Sequence, residues 1–127
     1  MGTAPGIPER LQLGYRLISG ITVVDVAGEV DVLTCGLLRD RLLLAVTDAY
    51  RRSLVINLAE VRFLDSAGLG VLIGVRHRMQ ATDGVMALAA PSRQARKVLH
   101  TAGLTGTFLI YDTEAQAVQA CQQPAGS

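Results

Sequence analysis

Leu11, Leu13, Tyr15 and Leu17 alternate with Gln12, Gly14 and Arg16, and a period of two predicts a half-buried strand. Ser19-Gly20 has the chemistry of a tight turn, and Ile21 to Ala27 is a second β-rich run, so the pair predicts an antiparallel hairpin. Leu38, Leu42, Ala45 and Ala49 then recur at helical spacing, with Thr34 placed to cap that helix. Ser53 to Leu58 holds the apolar run Leu54-Val55-Ile56, broken at Asn57, which suits a strand buried on both faces. Ala59 to Asp65 reads as a connection, and helical character resumes from Ser66 to about Ala81. Asp83-Gly84 is a turn, Val85 to Ala90 another buried strand, and Pro91-Ser92 the start of a helix whose Ala95, Val98, Leu99 and Ala102 share one face. Gly103 is placed to stop that helix. Thr107 to Tyr111 is a last strand, and Thr113-Glu114-Ala115-Gln116 fits a capping box opening a short helix to about Cys121.

The order is ββαβαβαβα. It predicts an α/β fold: a mixed sheet, antiparallel in its N-terminal hairpin and parallel beyond, with helices packed on it. The expected layout is a single domain over residues 10–121, with residues 1–9 and 122–127 as flexible termini.

Composition narrows the chemistry. Of 127 residues, 50% are hydrophobic and only 4% aromatic, so the chain can bury a core, and that core is aliphatic. Twelve basic and eleven acidic residues leave a net charge of +1, which argues against a nucleic-acid binder. The apolar runs fall far short of the ~20 residues that cross a bilayer, and Met1 to Arg10 lacks the apolar core of a secretory signal. These features predict a soluble, cytoplasmic protein with no membrane partner. Cys35 and Cys121 form no metal-ligand cluster, so no metal or cofactor is expected. They read as ordinary thiols. A redox role stays open, with Cys35, at a helix start, the more reactive candidate.

The stretch Phe63-Leu64-Asp65-Ser66-Ala67-Gly68-Leu69-Gly70 carries the most information. Ser66 lies where loop becomes helix, at the positive end of the helix dipole. Each glycine inside a helix costs about 1 kcal/mol relative to Ala, so something must offset Gly68 and Gly70. Two readings are open. Asp65 or Ser66 is a plain N-cap and the glycines permit close packing, or Ser66 is an exposed, modifiable alcohol beside a cleared docking surface.

Gly28-Glu29-Val30-Asp31 after the second strand, Val55-Ile56-Asn57-Leu58 with Val61, Phe63 and Leu64, then Asp65-Ser66-Ala67-Gly68-Leu69-Gly70, and finally Ala90-Pro91-Ser92, Val98-Leu99, Gly103-Leu104 and Tyr111-Asp112 stand in one order. This arrangement, from about Leu11 to Val118, resembles the STAS domain in the branch of bacterial anti-sigma-factor antagonists. Ala67 departs from those relatives that carry a second hydroxyl there, leaving Ser66 the one hydroxyl of the motif. The resemblance implies that Ser66 is phosphorylated by an anti-sigma factor that is also a GHKL-type serine kinase. The unmodified antagonist would bind that kinase and free its sigma factor, and a PP2C-type phosphatase would restore it. Asp31 and Asp65 would flank Ser66 and present it, and Glu29, Ala67, Gly68, Leu69 and Gly70 would share the docking surface. The alternative is a constitutive STAS interaction module, as in stressosomes or lipid-transport complexes.

Catalysis by Ser66 is not expected. No G-x-S-x-G elbow is present, and His77 is eleven residues further along the helix, about 16 Å up its axis. A helix-end His100 has a bland reading. The glycines also lie too far past Leu58 for a dinucleotide-binding turn.

Overall fold

The computed structural model describes residues 10–48 and 53–122. Their elements are β1 (Leu11–Ile18), β2 (Ile21–Val30), α1 (Cys35–Asp48), β3 (Ser53–Leu64), α2 (Ser66–Ala81), β4 (Val85–Ala89), α3 (Arg93–Thr101), β5 (Leu109–Tyr111) and α4 (Glu114–Gln122). This is the order expected from the sequence. The expectations for residues 1–9, for Ala49 and for the tail beyond Gln122 fall outside the described residues. Gln122 itself belongs to α4, and its amide donates to Ser19 O at 3.3 Å.

The strands form one sheet in the order β1-β2-β3-β4-β5, with β1 antiparallel to β2 and every later pair parallel. Each parallel step moves one place in the same direction. Right-handed crossovers therefore drop α1, α2 and α3 on the same face. Alternation along the strands confirms this. Val24 and Val26, Leu54, Ile56 and Leu58, and Met86 and Leu88 pack with Leu38, Leu42, Leu72, Val75, Ala95 and Leu99 of those helices. The intervening Val23, Val55, Ala87 and Ala89 meet Ala117 and Val118 of α4, alone on the other face.

Local chemistry matches several expectations. Ser19 and Gly20 both take positive φ in the hairpin turn. Thr113 and Gln116 close a reciprocal capping box, with Gln116 N on Thr113 Oγ1 at 3.1 Å and Thr113 N on Gln116 Oε1 at 3.2 Å. Ser92 caps α3 by accepting from Ala95 N at 3.1 Å.

Three boundaries differ from expectation. Ala59 to Leu64 is strand, not connection, and β2 runs past Ala27 to Val30. Between Asp25/Ala27 and Gly28/Glu29 the register slips, and each slip opposes an extra β3 residue to β2. Bulges of this kind break the two-residue period, so Val61 and Leu64 are buried three apart. Gly28 sits at the second slip with φ +110°. A Cβ there would lie 2.1 Å from Arg10 O, which accepts from Glu29 N at 2.7 Å. The last strand is also shorter than read, because the amides of Thr107 and Phe108 turn back to Leu104 O.

Candidate functional site

The ends of β2 and β3 lie side by side, and α1 and α2 leave from them. Asp65 N donates to Val30 O at 3.1 Å, which ties the start of α2 to the end of β2. Asp65 is the N-cap: its Oδ1 accepts from Ala67 N at 2.9 Å and Gly68 N at 3.2 Å. Capping thus falls to Asp65, and Ser66, the first residue of the helix, is left exposed. Its hydroxyl has no hydrogen-bond partner among the described residues.

The two motif glycines separate. At Gly68 a Cβ would stand 2.5 Å from Val30 Cγ1 and 2.6 Å from Leu64 Cδ1, so the helix approaches the strands as only glycine allows. Gly70 is exposed and faces open space. Gly68 and Leu69 are buried and hold the helix to the sheet, while Ser66, partly covered Ala67 and Gly70 reach the surface.

Glu29 and Asp31 are not free to present Ser66 as independent charges. Arg10 bridges them: its Nη2 donates to Glu29 Oε1 at 2.7 Å and also to Asp31 Oδ2. Asp31 is nearly buried, and its Oδ1 accepts from Leu33 N at 2.9 Å and Thr34 N at 3.1 Å. Burial pushes its carboxyl up, but those amides, Arg10 and the Thr34 hydroxyl outweigh that and hold it below the usual range. Thr34 does not cap α1 with its side chain. Its hydroxyl donates to Glu29 O at 2.8 Å and accepts from Asp31 N at 3.0 Å, so Asp31 and Thr34 lock the turn between β2 and α1.

That locked turn displays residues the sequence reading missed. Val32 is 72% and Leu33 77% exposed, and Leu37 and Phe63 are also open to solvent. Adjacent apolar side chains held out by a fixed turn have no use inside the monomer. The signal was present as a Val-Leu pair between two turn-forming polar residues, but only the tertiary turn shows that both point outward.

Among the described residues no His, Cys, Asp or Glu group could hold a metal ion, and no helix is long and apolar enough to cross a membrane. Cys35 packs against the three-helix face and Cys121 against the α4 face, so the sheet separates them and they cannot pair with each other. Burial raises the Cys121 thiol, which makes it the poorer nucleophile.

Residues 14–117 match the family model described as the STAS domain. The anti-sigma-F factor antagonist RsfB of Mycobacterium tuberculosis is 31% identical over 84% of this chain and 85% of its own length. An anti-sigma factor antagonist from Mycobacterium paratuberculosis has a crystal structure that superposes with a TM-score of 0.81 at 30% identity, covering 95% of this chain and 99% of that one. The Bacillus cell fate determinant SpoIIAA, solved in a phosphorylated form, is 26% identical with a TM-score of 0.64, covering 87% of this chain and 97% of its own.

Proposed function

The chain belongs to the STAS domain family, and from that membership we propose that it is an anti-sigma-factor antagonist whose switch is the hydroxyl of Ser66. It acts as a non-catalytic adaptor that binds an anti-sigma factor when unmodified and lets go when phosphorylated. The observation that carries the assignment to Ser66 is its position: exposed at the first turn of α2, unpaired, and fixed by the Asp65 cap and the Gly68 contact. The docking surface comprises Ser66, Ala67 and Gly70 with Val32, Leu33, Leu37 and Phe63, and the Arg10-bridged Glu29 and Asp31 stiffen its edge. A GHKL-type anti-sigma kinase would transfer the γ-phosphoryl group of ATP to Ser66 Oγ, with loss of the hydroxyl proton and release of ADP. A PP2C-type phosphatase in the same cytoplasm would remove it by hydrolysis.

Phosphorylation adds about −1.5 to −2 charge at pH 7. At Ser66 the amides of Ala67 and Gly68 already serve Asp65, so the new charge meets a carboxylate and no vacant donor pair. In water this costs little. In a closed interface beside apolar side chains the dianion must be desolvated, and a thousandfold loss of affinity needs only about 4 kcal/mol. The test is calorimetry of Ser66→Ala and Ser66→Glu against the cognate anti-sigma factor, with mass spectrometry of the wild type after incubation with that kinase and ATP. Ser66→Ala is expected to bind like the unmodified protein and Ser66→Glu about a hundredfold or more weaker. Equal affinities, with no phosphate on Ser66, would instead identify a constitutive interaction module.

A further inference from the structure

We propose that the outward face of α3 is a second docking surface, which takes an acidic segment of a protein partner independently of the state of Ser66. From Gly84 to Tyr111 the chain contains no Asp or Glu, yet this stretch carries Arg93, Arg96, Lys97 and His100. Positions i, i+3, i+4 and i+7 fall on one side of a helix. Ala95 and Leu99 occupy the opposite side, fully buried against the sheet, so the four cationic or basic side chains are turned out together. Together with Thr105 they line a shallow, open groove of about 680 Å³. Only Arg96 is paired, with the highly exposed Asp112 at 3.1 Å, and Arg93 and Lys97 have no carboxylate partner among the described residues. The molecule carries a net charge of +1, so this is a local concentration and not a general basic character.

The shape of the cluster selects its ligand. Arg93 and His100 are seven residues apart, about 10 Å along the axis, which suits several negative groups in a row better than one small anion. At the helix N-terminus Ser92 already accepts from Ala95 N at 3.1 Å, so one first-turn amide is spent inside the molecule. No Phe, Tyr or Trp lines the groove as a stacking platform for bases, and the molecule's net charge of only +1 further disfavours single-stranded nucleic acid. An extended run of Asp or Glu on another protein satisfies both the spacing and the charge.

The experiment is fluorescence anisotropy of a labelled decaglutamate peptide with the full chain at low salt, compared with Arg93→Glu/Lys97→Glu and with Arg76→Glu/Arg78→Glu, which changes the net charge equally on α2. The expected result is salt-sensitive binding that falls at least about tenfold in the α3 variant, by much less in the α2 variant, and not at all in Ser66→Glu, which carries the charge of the modified state. Oligo-dT and inorganic phosphate serve as competitors. Absence of peptide binding, equal weakening by both charge reversals, or displacement of the peptide by phosphate or oligo-dT at lower concentration than by unlabelled peptide would overturn the proposal. Circular dichroism of each variant checks that the fold is intact, Arg76 being only partly exposed.

Discussion

Gly68 and Gly70 are two residues apart on α2 and answer to opposite demands. Gly68→Ala must push Val30 and Leu64 aside, and urea denaturation should show a loss of about 1–3 kcal/mol. Gly70→Ala meets open space at an exposed helical position and should gain roughly 0.5–1 kcal/mol in the same assay. The sequence made it plain that glycine in a helix carries a cost. It could not show which glycine was offset by packing, because the atoms that decide are on β2 and at the end of β3. Asp65 and Ser66 were ambiguous for a related reason. Either residue type caps a helix well, and the choice rests on the Asp65 amide being tied to Val30 O.

Between elements, the α4 face is held by a polar cluster as well as by Ala117 and Val118. Arg16 of β1 donates through Nε to Asp25 Oδ2 at 2.5 Å and through its terminal nitrogens to Glu114, and Asn57 Nδ2 donates to Glu114 Oε1 at 2.9 Å. Asn57, which interrupts an apolar run in the sequence, is thus one of the sheet's polar contacts to α4, beside Arg16. The Arg16 hydrogen bonds hold the Glu114 carboxyl below its ordinary range, with Asn57 adding to them and burial opposing. A lowered folded-state value means stability that is present above the unfolded value of about 4.3 and lost as pH falls through the folded one. Glu114→Gln should therefore cost less than about 1 kcal/mol near neutrality, since Arg16 is well exposed, and the difference from wild type should shrink as pH falls below about 4.3 when urea midpoints are compared. The capping box that positions Glu114 was legible because it is a local pattern. The far end of β3 was not, since two bulges erase the alternation on which a strand is recognised.

Across the whole molecule, stability and signalling occupy different places. The three-helix face carries the thick aliphatic core, and Leu42→Ala there should cost about 2–5 kcal/mol in chemical denaturation. The opposite face brings α4 down on Ala87 and Ala89, so Ala117→Leu should overpack it by about 1–3 kcal/mol. Ser66→Glu touches neither layer and should denature within about 0.5 kcal/mol of wild type while losing its partner. The antiparallel hairpin and the parallel remainder of the sheet were readable from the alternation of strands and helices, whereas the placing of α4 alone on one face came only from the structure. The outward Val32-Leu33 pair was not, because exposure is a property of the assembled turn. The plugged front of α2 has one more consequence. The amides of Ala67 and Gly68 are spent on Asp65, so a phosphoryl group on Ser66, where the switch is proposed to lie, would find neither of them vacant. On the proposed reading, the persistence of such a mark would then be governed by the enzyme that erases it and not by these two amides of the fold.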